Sequence, residues 1–349
     1  MTRAPRPRAT LLSAFWLSLL VFGSLLGQAP SDPARLIFLG DTGTGKSGQR
    51  RVRDAILRMS EIIEIEKIFM AGDNIYEIGK PEHFREKFLD IYDLLLRKGI
   101  PFHAALGNHD VQKCGAAPSN NGPIPGDATA YRLDPKKCWV DQHLALPEFG
   151  YMGAARYYSV TIGGVAKPLG EVFVIDSNTL DSSQTKLKSG SVDQAQLDWL
   201  EESLRESRAE WKIAMFHHPI YTPTADRFWP HKSETKMRKQ LEQRLLDGQV
   251  DVVIQGHNHF YARLKPQRGI RYFVAGSGGA EAYRFKPDGI TIDRPDRGKF
   301  THFMLVTLTP GKFQYCTVDS EGKMRDGGWF AKGSAQDAPL DPGKCPSRD

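Results

Sequence analysis

Five short clusters of oxygen and nitrogen donors stand out along the chain. They are Gly40-Asp41, Gly72-Asp73-Asn74-Ile75-Tyr76, Gly107-Asn108-His109-Asp110, His217-His218-Pro219 and Gly256-His257-Asn258-His259. Carboxylate, amide and imidazole together form a donor set for one or two hard-to-borderline metal ions. Taken singly, each cluster has an ordinary explanation. An Asp after a strand is most often a helix cap or a turn former. His257-x-His259 fits a surface pair, and Asn108-His109-Asp110 fits a turn. The joint pattern is harder to reach by chance, because every cluster directly follows an apolar run.

Those runs are Leu36–Leu39, Lys67–Ala71, Phe102–Leu106, Lys212–Phe216 and Asp251–Gln255, which read as short buried strands. In open α/β sheets, ligands bind just outside the carboxyl ends of strands. Five such ends would bring the clusters to one place. A glycine precedes four of the five, as expected where the backbone must turn tightly or approach something closely. Helices are expected over Ser47–Ser60, Glu82–Arg97, Val192–Ser207 (with Asp193 at its start) and Ser233–Leu246. Further strands are expected at Tyr157–Ile162, Glu171–Asp176, Tyr261–Leu264, Arg271–Ala275, His302–Leu308 and Lys312–Thr317. Val111–Lys137 is long and irregular, and loops of that length are usually functional or disordered. Past Gly327 the chain is rich in Gly and Pro and reads as an extended tail. Helix and strand alternate in the first half and strands dominate the second, which describes one α/β domain.

The stretch Gly40-Asp41-Thr42-Gly43-Thr44-Gly45-Lys46-Ser47 also fits G-x-x-x-x-G-K-[ST], between a strand and a helix. That is the context of a nucleotide-binding phosphate loop. The pattern fixes only four positions, and this reading leaves the other four clusters idle. It stands as a remote alternative, with Lys46 otherwise a solvated lysine at a helix start.

Jointly, the five clusters resemble the calcineurin-like metallophosphoesterases, and more narrowly the purple acid phosphatases of the tartrate-resistant type. The resemblance runs from Arg35 to about Cys316, and Tyr76 separates this group from other metallophosphoesterases. It implies a four-layer αββα sandwich, two mixed β-sheets flanked by helices. It implies a dinuclear centre in which Asp41, Asp73, Tyr76 and His259 bind iron(III). Asp73 would bridge to a divalent iron, zinc or manganese ion held also by Asn108, His217 and His257. A phenolate and carboxylates suit the harder ion, and two imidazoles with an amide suit the softer one. The implied reaction is hydrolysis of phosphomonoesters by in-line attack of a metal-bound hydroxide. His109 resembles the histidine that contacts phosphate and protonates the leaving group, and Asp110 is placed to orient it. The tartrate-resistant type carries another active-site histidine about nine residues after the one matching His217. Asp226 stands there instead, and His231 is the candidate to replace it. His218 reads as packing, and His83, His103, His143 and His302 match no motif. Val111–Lys137 and Tyr221–Lys232 are the expected specificity loops, with Tyr131, Phe228 and Trp229 available to stack on a leaving group or to pack the loops. A phosphodiesterase or nucleotidase on the same metal core is the alternative within enzymes. A catalytically inactive secreted binding protein is the alternative outside them, although all seven implied ligands are present.

The chain has 349 residues, 40% hydrophobic and 25% charged, enough for a sizeable core. Arg3, Arg6 and Arg8 precede an apolar run from Leu11 to Leu26, and Gly27-Gln28-Ala29 offers small residues for cleavage. Residues 1–29 read as a signal peptide, leaving a domain over 30–327 and a tail over 328–349. The expected location is secreted or periplasmic, or membrane-anchored if the segment is kept. Removing it lowers the formal charge from +6 to +3, which weakens any case for a nucleic-acid partner. The partner implied is a small phosphorylated substrate such as a phosphomonoester, nucleotide or phosphopeptide, and the chain is expected to act as a monomer. Four cysteines and an export signal suggest disulfides, and proximity along the chain favours Cys114–Cys138 and Cys316–Cys345.

Overall fold

The computed structural model of the chain describes residues 32–112, 114–116, 131–132, 138–150, 155–180, 193–226, 228, 231–286, 289–290 and 299–346. The expected signal peptide, Trp229 and most of Val111–Lys137 lie outside them. In chain order the strands begin with β1 (Ala34–Leu39), β2 (Lys67–Met70), β3 (Phe102–Ala104), β4 (Gly115–Ala116), β5 (Tyr131–Arg132), β6 (Tyr158–Ile162), β7 (Gly170–Val174) and β8 (Trp211–Phe216). They continue with β9 (Thr224–Ala225), β10 (Val252–Gln255), β11 (Tyr261–Arg263), β12 (Arg271–Ala275), β13 (Phe285–Lys286), β14 (His302–Thr309), β15 (Lys312–Asp319), β16 (Met324–Ala331) and β17 (Ala338–Pro339). The α-helices are α1 (Ser47–Met59), α2 (Asp90–Arg97), α3 (Val140–Leu144), α4 (Gln194–Glu206) and α5 (Thr235–Asp247).

A seven-stranded sheet runs β17-β16-β15-β14-β1-β2-β3, and a six-stranded sheet runs β11-β12-β10-β8-β7-β6. Both are mixed: β1, β2 and β3 are parallel, as are β7, β8, β10 and β12, with antiparallel strands completing each sheet. Alternate residues of the six-stranded sheet divide cleanly between two cores. Val172, Val174, Ile213, Met215, Val252, Ile254, Phe273 and Ala275 join the residues of the seven-stranded sheet. Phe173, Ala214, Phe216, Val253, Tyr272 and Val274 face α4 and α5 instead. A strand with apolar residues on both faces is sandwiched by construction, since successive side chains point to opposite sides. Helix α1 buries Val52, Ala55, Ile56 and Met59, one face at helical spacing, in the first core. Helix α4 buries Leu197, Leu200 and Leu204, and its cap is Asp193, whose carboxylate accepts the Gln196 amide at 3.2 Å. The fold is therefore two large mixed sheets packed together and flanked by helices.

Two expectations are corrected. The helix expected over Glu82–Arg97 begins as a 3-10 turn (Pro81–His83) and a π-helical turn (Arg85–Leu89) before α2. Lys87 lies in the π turn: its Nζ donates to the Tyr76 carbonyl, and its own carbonyl accepts from Gln49 Nε2 at 2.8 Å. The interrupted helix thus ties α1 to the loop after β2, as π turns often do near functional sites. The boundary expected at Gly327 falls inside β16, which pairs with β15 along its length. Gly328 is there for packing, because a Cβ would meet Tyr315 Oη at 2.2 Å. Disulfides Cys114–Cys138 and Cys316–Cys345 are formed. No helix among the described residues is long and apolar enough to cross a membrane.

Candidate metal centre

The carboxyl ends of β1, β2, β3, β8 and β10 meet at one edge of the sandwich, and the five donor clusters meet with them. Three residues there have left-handed backbones without being glycine: Asp41 (φ 58°), Asp73 (φ 54°) and His257 (φ 69°). Each such residue costs on the order of 1–2 kcal/mol. Strain gathered at three neighbouring donors marks a functional site, since the fold holds their side chains back over the strand ends at a cost. Gly107 belongs to the same construction, because a Cβ on it would overlap Asp73.

The side chains form two tight groups. In the first, Tyr76 Oη donates to Asp41 Oδ1 at 3.2 Å and lies 3.0 Å from His259 Nε2, which is itself 3.3 Å from Asp41 Oδ1. In the second, Asn108 Oδ1 lies 3.0 Å from His217 Nε2 and 2.9 Å from His257 Nδ1, and the two nitrogens are 3.3 Å apart. Asp73 joins the groups: its Oδ1 is 3.4 Å from His217 Nε2, and its carboxylate also interacts with Tyr76.

The donor chemistry fits a cation at each group. His217 Nδ1 donates to the Ala71 carbonyl at 2.8 Å, so the tautomer with its proton on Nδ1 turns the Nε2 lone pair toward Asn108 Oδ1, another acceptor. Burial, then His218, His217 and His231, hold His257 well below the usual histidine range. The Asn108 oxygen and the His217 lone pair, brought together in this way, repel unless a cation lies between them. In the first group, burial followed by Asp73 and Asp41 pushes the Tyr76 phenol well up, so a strong positive charge would be needed to ionise it. Burial also opposes charge on Asp73, but His217 and His109 outweigh it and hold the carboxyl below its ordinary value. Two sets, Asp41-Asp73-His217 and His217-His218-His257, place their donor atoms within 4.8 Å of one another.

The remaining candidates surround these groups. The His109 ring is tilted against that of Tyr76 with ring centres 4.5 Å apart, its main-chain N–H donates to Asp73 Oδ1 at 2.9 Å, and its Nδ1 donates to the Glu77 carbonyl. Asp110 does not orient it as expected. Its buried carboxylate accepts from the amides of Asn74, Ile75 and Gly107 and from Asn74 Nδ2, at 2.8–3.1 Å. Asp110 is thus a clamp between the loops after β2 and β3, and the Glu77 carbonyl holds His109. His231 reaches the site: its Nδ1 is 3.1 Å from His257 Nε2, and its carbonyl accepts the Ala225 amide at 3.3 Å. Phe228 is 86% exposed. A sixth strand end, missed in the sequence, also contributes. Past β7, Asp176-Ser177-Asn178 places Ser177 Oγ 2.9 Å from His218 Nδ1. The signal was an Asp-Ser-Asn run directly after a buried strand.

The phosphate-loop reading is excluded by the same geometry. Six of the amides such a loop would offer are already used. Gly40 N–H donates to Ala275 O, Asp41 to Gly72 O, Gly43 to Asp73 O, Thr44 to Thr42 O, Gly45 to Gln49 Oε1 and Lys46 to Thr44 Oγ1. Gly43 is packed on the loop after β2, where a Cβ would sit 1.9 Å from the Asn74 carbonyl oxygen.

Residues 34–261 match the model of the calcineurin-like phosphoesterases. The chain is 23% identical over 339 residues to tartrate-resistant acid phosphatase type 5 of Mus musculus, covering 89% of this chain and 93% of that one. It is 27% identical over 319 residues to purple acid phosphatase 4 of Arabidopsis thaliana, covering 84% and 83%. Among solved structures it resembles purple acid phosphatase PPD1 from yellow lupin seeds, with a TM-score of 0.63 at 17% identity, covering 86% of this chain and 54% of that one.

Proposed function

The chain belongs to the calcineurin-like phosphoesterases, hydrolases of phosphate esters, and from that premise we propose that it is an exported, dinuclear acid phosphatase acting on small phosphomonoesters. The observation that carries the proposal is the pair of donor groups joined by Asp73. Asp41, Tyr76 and His259 would hold an iron(III), Asn108, His217 and His257 a divalent iron, zinc or manganese ion, and Asp73 both. Two ions so held supply the Lewis acidity that offsets phosphate charge and lowers the pKa of a water.

The chain's own groups supply the rest. Asp110 fixes the spacing between the loops that carry Asp73 and Asn108, through its bonds to both. The Glu77 carbonyl pins His109 Nδ1, which leaves Nε2 to give a proton to the departing oxygen. With the lone pair of His257 on Nδ1, its Nε2–H donates to His231 Nδ1, so His231 orients His257. Two disulfides support an oxidising compartment, in keeping with the apolar N-terminal segment.

The test is turnover of p-nitrophenyl phosphate and of bis-p-nitrophenyl phosphate by the protein loaded with iron and zinc, beside Asp73→Ala. Hydrolysis of the monoester, lost by about three orders of magnitude in the variant, is expected, on the scale typical of removing a group that stabilises the transition state. Preference for the diester would replace the monoesterase reading with a phosphodiesterase. No hydrolysis of either would leave a binding protein.

A further inference from the structure

His218 has no role in the proposal above, yet the structure builds it into the site. It follows His217 at the end of β8 and is wholly buried. Its ring centre is 5.0 Å from that of His217 and 4.9 Å from that of His257. Ser177 holds it from the far side: Ser177 Oγ accepts the His218 main-chain N–H at 3.1 Å and lies 2.9 Å from Nδ1. A serine oxygen has two lone pairs, so it can accept from both N–H groups. In the tautomer with the His218 proton on Nδ1, the lone pair is on Nε2. That nitrogen is buried and has no hydrogen-bond partner among the described residues. A buried imidazole nitrogen without a partner forfeits its hydration for nothing. Nitrogens of His217, His218 and His257 lie within 4.8 Å of one another, close enough for small side-chain shifts to bring all three onto one ion.

We propose that His218 is a third imidazole donor of the subsite formed by Asn108, His217 and His257, held in register by Ser177, and that this subsite therefore selects zinc(II) over manganese(II). The selection follows from ligand type: imidazole suits zinc, whereas manganese does best with carboxylate, carbonyl and water. The inference rests on the metal-centre reading of the proposed function and adds to it the identity of one ion.

The experiment is zinc and manganese binding to metal-free protein, by competition with a chromophoric chelator, for the wild type, His218→Phe and His217→Ala. His218→Phe keeps a planar ring of similar size in the buried site. It is expected to weaken zinc by about 100-fold, the upper range found for groups supporting a metal ligand, and to narrow the zinc-over-manganese preference. Cobalt(II) in the wild type should give visible bands that change in His218→Phe. Unchanged zinc affinity and unchanged cobalt bands in a folded His218→Phe protein would overturn the inference. If His217→Ala loses zinc while His218→Phe keeps it, only the role of His218 falls. If His217→Ala also binds zinc as the wild type does, the metal centre itself is wrong. Zinc-edge X-ray absorption on the wild type with one equivalent of zinc does not depend on any variant folding. Three imidazoles are expected, and two would overturn the inference.

Discussion

Gly107→Ala is the sharpest structural perturbation of the site, because the residue touches no substrate and no metal. A Cβ at Gly107 would lie 2.1 Å from the Asp73 main-chain nitrogen and 2.2 Å from Asp73 Oδ1, where real Cβ atoms essentially never come under 3.0 Å. The obstruction is backbone and a buried carboxylate, so it cannot swing aside. The loops after β2 and β3 must part by about 1 Å, well beyond the ~0.2 Å that metal–ligand distances tolerate. A displacement of that size near reacting groups costs about 100-fold in rate, or about 2.7 kcal/mol of barrier. Gly164→Ala is the control, since a Cβ there meets nothing within 4 Å. Metal content by elemental analysis and kcat/KM on p-nitrophenyl phosphate are the assays, with circular dichroism to confirm folding. Gly107→Ala is expected to lose metal and at least about 100-fold in kcat/KM, while Gly164→Ala matches the wild type. Full metal content and activity in Gly107→Ala would refute the proposed role of Asp73 in holding metal.

Tyr76→Phe should fold and should lose the visible absorption of an iron-loaded protein; an unchanged spectrum would mean that the phenol does not bind iron. Trp211 lies between the sheets, 5.7 Å from both Phe313 and Phe330, with Nε1–H donating to Thr309 O at 3.1 Å. Trp211→Ala is expected to cost about 3–5 kcal/mol in urea unfolding, and a loss under about 1 kcal/mol would contradict that packing. Burial holds the His302 imidazole down to about 4, against the opposing pull of the Phe300 main chain and Asp319. The folded state therefore prefers neutral His302. Its contribution is complete above the unfolded value of about 6.5 and is lost as pH falls toward 4, up to about 3 kcal/mol. His302→Gln should lessen the acid sensitivity of the metal-free protein in urea titrations between about pH 7 and pH 4.5; equal slopes for the two proteins would contradict this.

The parts of the site legible in the sequence are those set by local chemistry. Asp41, Asp73, Asn108, His217 and His257 could be read because each directly follows an apolar run, and strand direction then brings them to one edge. What could not be read depends on contacts between distant segments. The string from Gly40 to Ser47 looks like a phosphate loop until its amides are seen to be taken by Ala275, Gly72 and Asp73. Asp110 is adjacent to His109 in sequence, but in space its carboxylate is held by the amides of Asn74, Ile75 and Gly107. Gly327 and Gly328 suggest the start of an extended tail by composition, whereas they make room for Leu340 and Tyr315 inside a strand. His218 reads as packing, because Ser177, which orients it, is 41 residues away along the chain. The π turn at Lys87 gives no periodicity signal, since Arg85–Leu89 still looks helical residue by residue.

Elemental analysis of the purified protein, beside Asp73→Ala, tests the dinuclear centre most directly. About two ions per chain, one of them iron, falling away in the variant, is the expected result. No tightly bound metal after incubation with iron and zinc, or equal metal in both proteins, would contradict it.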